Sequence, residues 1–272
     1  MNITFIGGGN MATALIGGLL KGGFYMPEEL CVVEVSDEAC AKLKAQFDIR
    51  ATTNLPHGLL GSGVIVLAIK PQQLREVCAQ LAPLLGTQLI VSIAAGIRAQ
   101  DISRWLNTQN VVRCMPNTPA LIKSGVTGLY ALPQVSTTHK EIAESMLNAV
   151  GSSVWLSEEV MLDGVTAISG SGPAYVFYFI EAMQQAAREL GFDEADAKRL
   201  VIDTFLGAAK LADASIDDVS VLRARVTSKN GTTERALLSM EADKVKQHIT
   251  AAVHAAAIRS KEMGDELGGT QC

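Results

Sequence analysis

A mainly parallel α/β sheet over residues 1–156, followed by an all-helical domain over residues 157–272, is the fold class that the sequence predicts. Three observations predict it. Short apolar runs rich in Val and Ile alternate with stretches of helical period through the first half. A glycine turn, Gly7-Gly8-Gly9, follows the first of those runs. After Trp155 no run reads as a strand, and Ala, Leu, Met and charged residues recur at helical spacing to the end.

In chain order, strands are expected at Asn2–Ile6, Leu30–Val35, Gly63–Ile69, Gln88–Ile93 and Val111–Cys114, with weaker candidates at Ile49–Thr52, Val126–Tyr130 and Ser153–Leu156. The run Val64-Ile65-Val66-Leu67-Ala68-Ile69 is apolar without interruption, which fits a strand buried on both faces, so helices should cover both sides of the sheet. The second half reads as helices over Glu158–Ile168, Pro173–Leu190, Glu194–Ala212, Asp217–Arg225 and Thr233 to about Glu266. Pro173 suits a first helical turn, where its missing donor costs nothing, and Gly191 suits a stop in the left-handed conformation. Between them Ala174–Ile180 is apolar on every face, the pattern of a helix buried all round. Small residues in Ala251–Ile258 permit close helix approach, so the helical domain is expected to pack between subunits.

The chain has 272 residues and a net charge of −5, which makes nucleic acid an unsuitable main partner. Hydrophobic residues make up 48% and mean hydropathy is +0.23, yet no apolar run approaches the ~18 residues that span a bilayer. With only 5% aromatic residues, the surplus apolar surface is expected to go into helix packing and a subunit interface rather than a membrane. The five cysteines, Cys31, Cys40, Cys78, Cys114 and Cys272, are scattered and form no C-x-x-C pair, which argues for neither a disulfide framework nor a metal site and points to a reducing cytoplasm. The first strand candidate starts at Asn2, so no cleavable leader is expected before it.

The glycine turn lies between a strand and a helical stretch, the context in which a G-x-G-x-x-G/A pattern binds a dinucleotide. Gly7 permits the tight turn, Gly9 lets a pyrophosphate approach the backbone, and Ala12 fills the small third position. Free N–H groups at the start of the following helix then face the phosphates. Glu34 ends the second strand about 20 residues further on, where a carboxylate accepts from a ribose hydroxyl. It favours NADH and repels a 2′-phosphate, while the hydroxyl of Ser36 leaves NADPH open; a merely solvated strand-end carboxylate is the plainer alternative. Ala68-Ile69-Lys70-Pro71, Ser92-Ile93-Ala94-Ala95-Gly96 and Met115-Pro116-Asn117-Thr118-Pro119 each follow a strand candidate, at the edge where parallel sheets bind ligands. Lys70 is placed beside the ribose and Asn117 at the nicotinamide end, against the alternatives of a surface lysine and a turn-stabilising amide.

Two polar islands, Ser169–Tyr175 and Thr227–Thr233, precede helices in the second half and suit a substrate carboxylate, although Ser and Thr in such places also serve as ordinary N-caps. Together, Phe5–Met11, Ala68–Pro71, Ser92–Gly96, Arg113–Pro119, Ser169–Tyr175 and Gly231-Thr232-Thr233 resemble the pyrroline-5-carboxylate reductase family over nearly the whole chain. The resemblance implies a Rossmann-type N-terminal domain, an all-α C-terminal dimerisation domain, and reduction of 1-pyrroline-5-carboxylate to L-proline with NADPH or NADH, in homodimers or larger dimer-based assemblies. It places the cofactor on Ile6, Gly7, Gly9, Asn10, Met11, Glu34, Ser36, Asn54, Ala68, Lys70, Pro71, Ala94, Gly96 and Asn117. The substrate falls to Ser171, Gly231, Thr232 and Thr233, with Thr233 as the catalytic position. One departure stands out: where the family usually reads Ser-Pro-Gly-Gly-Thr-Thr, this chain has Ser228-Lys229-Asn230-Gly231-Thr232-Thr233. Asn tolerates a left-handed backbone, so the turn is compatible with it.

A β-hydroxyacid dehydrogenase is the nearest enzymatic rival, but it needs a basic Lys on a helix, and Pro173–Leu190 holds none. Lys210 follows Gly207 at the wrong spacing for that motif, and His57, His139, His248 and His254 have no sequence partners that suggest a triad or metal cluster. A non-catalytic dinucleotide sensor is the alternative from another class, and its mark would be cofactor binding without imine-dependent oxidation.

Overall fold

The structure, a computed structural model, describes residues 1–269, so Cys272 lies outside the described residues. Chain proximity divides it into two compact units, Met1–Ser171 with the chain from Ala256 onward, and Gly172–Ala255.

The first unit contains β1 (Asn2–Ile6), α1 (Asn10–Lys21), β2 (Leu30–Val33), α2 (Asp37–Phe47), β3 (Arg50–Thr52), α3 (Leu55–Gly58), β4 (Ser62–Leu67), α4 (Pro71–Leu81), β5 (Leu89–Ser92), α5 (Ala99–Leu106), β6 (Val111–Met115), β7 (Gly125–Ala131), α6 (Thr137–Asn148), β8 (Gly151–Trp155) and α7 (Met161–Val165). All eight strand candidates are present, in the order β3-β2-β1-β4-β5-β6-β7-β8. Neighbours are parallel except β6 and β7, which run antiparallel. Ile3, Phe5, Val64, Ile65, Val66, Leu67, Leu89, Ile90 and Val91 are fully buried, as a sheet covered on both faces requires. Each such side chain contributes about 1.5–3 kcal/mol by leaving water. The helices that cover them pack in pairs, α1 with α6 and α4 with α5. The one hydroxyl inside β1, on Thr4, donates to the Gly58 carbonyl at 2.8 Å, so its burial leaves no orphaned donor.

Strand ends differ from expectation where they matter. β2 stops at Val33 and β4 at Leu67, so Glu34 and Ala68–Lys70 lie beyond the sheet at its carboxyl edge. The expected helix Glu158–Ile168 is instead the short α7 followed by a wide turn, Thr166–Gly170, closed by the Ser171 N–H on the Thr166 carbonyl at 2.8 Å. Thr166 and Ser169 hydroxyls donate to carbonyls four residues back, which loosens the regular ladder there. Residues beyond 156 belong to this unit by packing: Leu162 and Ala167 are fully buried, and Gly128 of β7 leaves room for Val165.

The second unit holds α8 (Gly172–Glu189), α9 (Glu194–Asp213), α10 (Val219–Arg225), α11 (Thr232–Ala242) and the first part of α12 (Val245–Gly268). Pro173 lies in the first turn of α8, and Gly191 takes φ +95° just past its end. The expected single helix from Thr233 to about Glu266 is two helices. Lys244 adopts φ +55° between α11 and α12, and a left-handed residue cannot continue a right-handed ladder. No Gly or Pro marks this break, which is why the sequence hides it. The expectation that the Ala174–Ile180 segment is buried all round also fails within the chain. Phe177 is 65% and Tyr178 72% exposed, because α8 has α9 against one side and too few neighbours to enclose the rest.

The four described cysteines are buried free thiols. Burial pushes each above its usual range, Cys78 up to about 12. Since the thiolate is the reactive form, none of the four should take up a thiol reagent at pH 8 before denaturant is added. Mass mapping of the labelled sites checks this, and native labelling at Cys78 or Cys114 would contradict the described packing.

Candidate active site

Strand order reverses between β1 and β4, and the crevice at such a crossing, on the carboxyl side of the strands, is where open parallel sheets bind ligands. Here it is a cleft of about 430 Å³. Ile6, Gly7, Gly9, Glu34, Ala68 and Lys70, all anticipated from sequence, line it together. Val33, Val35, Thr53, Leu55, Ile69 and Gln73 line it as well and were not anticipated.

Each glycine of the turn has its own reason. Gly7 has φ +95°, and a Cβ there would stand 2.7 Å from the Ala68 carbonyl oxygen. Gly9 caps α1, and a Cβ there meets nothing, since the position opens into the cleft. No side chain caps α1 and no acidic residue occupies its first turn, so its leading N–H groups and positive dipole end are available to an anion. Gly8 turns the other way: its N–H donates to Glu34 Oε1, while Glu34 Oε2 accepts from the Val35 N–H at 3.0 Å. Two backbone bonds thus fix the carboxylate at the end of β2, with lone pairs still free for ribose hydroxyls. An open Gly9, an uncapped helix start, a fixed carboxylate and the Lys70 ammonium fit a dinucleotide.

The remaining expected cofactor residues are placed less directly. Asn10 and Met11 open α1, and Pro71 opens α4 behind Lys70. Ser36 accepts from Ala39 N–H at 3.2 Å and Asn54 from His57 N–H at 2.8 Å, so both side chains serve as N-caps of α2 and α3. Thr53 rather than Asn54 lines the cleft. The Asn54-Leu55-Pro56 sequence, with Pro in the first turn, carries that capping signal. Ala94 and Gly96 sit in the loop after β5, Gly96 at φ +75°. Asn117 is buried and its Oδ1 accepts from the Val126 N–H at 2.9 Å, so that oxygen stabilises the turn between β6 and β7.

Of the expected substrate residues, Ser171 ends the wide turn of the first unit. Gly170, just before it, lies so close to Met115 that an added Cβ would come within 2.6 Å of that side chain's methyl. The Ser169–Ser171 island and the Met115–Asn117 segment therefore adjoin. Gly231, Thr232 and Thr233 lie in the second unit at the start of α11, with Gly231 as the N-cap. Asn230 takes φ +60°, as its position in the altered loop requires, and its N–H is held by Glu234 Oε2 at 2.6 Å. Gly231 closes the turn on the Ser228 carbonyl at 3.0 Å. The Lys229-Asn230 replacement therefore keeps a closed turn before α11.

Residues 159–263 match the family model described as "Pyrroline-5-carboxylate reductase dimerisation". Residues 2–96 match "NADP oxidoreductase coenzyme F420-dependent". Among curated proteins, a pyrroline-5-carboxylate reductase of Pseudomonas aeruginosa is 45% identical over 98% of this chain and 98% of its own. One of Haemophilus influenzae is 41% identical over 96% and 97%. Among solved structures, a pyrroline-5-carboxylate reductase of Coxiella burnetii has a TM-score of 0.90 at 40% identity, covering 96% of this chain and 98% of that one. The Plasmodium falciparum pyrroline carboxylate reductase with NADP bound gives 0.88 at 29%, covering 97% and 98%. With the glycine turn, the crossing cleft and the helical second half all lying inside these full-length matches, the chain belongs to the pyrroline-5-carboxylate reductase family.

Proposed function

We propose that the protein reduces the C=N bond of 1-pyrroline-5-carboxylate to give L-proline, the last step of proline biosynthesis, using NAD(P)H. The observation that carries this reading is the uncapped start of α1 behind an open Gly9, in a chain that matches a curated reductase over 98% of its length. Residues 1–156 hold the cofactor, and residues 157–272 serve substrate and self-association as a homodimer or dimer-based oligomer.

Bound NAD(P)H supplies the hydride that the imine carbon receives, which is C2 of the pyrroline ring and becomes C5 of proline. The residues of the chain bind and orient. Gly9, Asn10 and Met11 offer backbone N–H groups to the pyrophosphate, Glu34 accepts from the adenosine ribose, and Lys70 stands by the other ribose. Ala94, Gly96 and Asn117 border the nicotinamide end. N–H groups over Gly231–Thr233, with Ser171, secure the substrate carboxylate, and the Thr233 hydroxyl hydrogen-bonds the ring nitrogen. A protonated imine is already electrophilic, so holding donor and acceptor near contact supplies most of what the reaction needs. No basic side chain has to take a proton, in contrast to a β-hydroxyacid dehydrogenase.

The compartment is the cytoplasm, a reading supported by four buried free thiols. No helix among the described residues is long and apolar enough to cross a membrane. Absorbance at 340 nm with 1-pyrroline-5-carboxylate and either NADH or NADPH tests the proposal. Imine-dependent loss of signal is the expected result. Folded protein that binds a dinucleotide without consuming it would favour a sensor instead.

A further inference from the structure

The loop after β5 that carries Ala94 and Gly96 runs between the two sides of one part-buried ion pair, Arg113–Glu159: its first end pairs with the Arg113 backbone in the sheet and its last end is bonded by Glu159 itself. Arg113 of β6 lies opposite Ser92, the last residue of β5, in the parallel ladder, so the loop's first end is fixed to Arg113 through the sheet. The Arg113 guanidinium, 5% exposed, donates to Glu159 Oε1 at 2.9 Å. The same oxygen accepts the N–H of Ala99 at 2.6 Å, the first residue of α5, where no local side chain provides a cap. Residues 93–98 are therefore strung between two points tied to the same pair, although Glu159 is 60 residues from Ala99 in sequence. The C-terminal part of α12 closes the outside: Arg98 pairs with Asp265, and a Cβ on Gly96 would lie 3.2 Å from that of Met263.

We infer that Glu159 is a positioning residue for the dinucleotide, acting through Arg113 and the Ala99 N–H to fix the loop that borders the nicotinamide. This rests on placing Ala94 and Gly96 against the cofactor. Removing Glu159 alone would strand a buried guanidinium and endanger the fold, whereas replacing both partners with apolar residues is commonly tolerated. The informative protein is therefore the pair variant Arg113→Met with Glu159→Leu, accompanied by Glu159→Gln, which keeps size and an acceptor oxygen but not the charge. Equilibrium titration of NADH fluorescence gives the dinucleotide Kd, steady-state kinetics give the imine KM, and circular dichroism reports folding.

The pair variant should stay folded, with the NADH Kd raised about tenfold and the imine KM within twofold; Glu159→Gln should raise Kd about threefold. A folded pair variant with unchanged Kd overturns the inference, and if that variant does not fold, unchanged Kd in Glu159→Gln does so. Gly96→Val separates the two levels of the argument. If it leaves Kd unchanged, the loop does not border the cofactor and the inference falls with that placement. If it weakens NADH while the Arg113 and Glu159 variants do not, only the positioning role fails.

Discussion

Thr233→Ala is expected to lower turnover about a hundredfold and leave the NADH Kd within twofold. Thr233 lies in the first turn of α11, next to the Gly231 N-cap, in a helix start that no side chain caps. Thr227 and Thr250 donate their hydroxyls to the carbonyl four residues back. Among the described residues Thr233 makes no such bond, since residue 229 precedes the helix, and its hydroxyl remains free to meet a ligand. In the protonated imine the ring N–H donates to the Thr233 hydroxyl oxygen, so the side chain orients the reacting C=N bond, and misplacement of a reacting centre by about 1 Å costs roughly a hundredfold. The comparison is kcat at saturating cofactor by absorbance, with Kd by fluorescence titration on the same preparations. Thr233→Ser should recover most of the rate, because it restores the hydroxyl. Turnover that survives in Thr233→Ala would remove this side chain from the chemistry and leave the carboxylate-binding N–H groups as the whole contribution of the loop.

Glu34→Gln should move the NADPH-to-NADH ratio of kcat/KM upward by about thirtyfold. Wild-type protein is correspondingly expected to prefer NADH. The carboxylate is pinned by the Gly8 and Val35 N–H groups, so it cannot swing away from a 2′-phosphate. Asp37 and Glu38 in the first turn of α2 add negative charge nearby in sequence. Among the described residues Lys70 is the one basic side chain lining the cleft, and it caps α4 after β4, not the end of β2. Two unit charges about 5 Å apart at an effective dielectric near 20 repel by about 3 kcal/mol. Partial exposure and salt reduce this to about 2 kcal/mol, near thirtyfold. Gln keeps the length and one acceptor for Gly8, so the loop should hold while the repulsion goes. Separate progress curves with each cofactor, before and after the substitution, give the ratio. An unchanged ratio would show that Glu34 serves the glycine loop and not the choice of cofactor.

The fold was legible because its signals are local. Each strand announces itself as an apolar run a few residues long, and the glycine turn is read from its neighbours on either side. Gly7, Gly9, Glu34, Ala68 and Lys70, which line the cleft, were legible for the same reason, since they end strands or begin helices. Ser36 and Asn54 were harder. A short polar side chain near a helix start carries the same sequence whether it caps that helix or faces a ligand, and their hydrogen bonds place them as caps. The split between α11 and α12 was silent because Lys244 carries none of the composition that usually accompanies a left-handed residue.

Sequence order alone was enough for the parallel sheet, the glycine turn before α1 and the helical character of the second half, all consequences of periodicity and backbone preference over short stretches. The three-dimensional packing sets that Glu34 bonds Gly8, 26 residues away, that Glu159 caps α5 and neutralises Arg113, and that Asn117 spends its oxygen on Val126. It also decided that the apolar face of α8 stays open within one chain. These outcomes depend on which polar group reaches which orphaned N–H once the strands have assembled and on how many helices one chain can place around another. Residue order along the chain does not encode those distances until the sheet has been built.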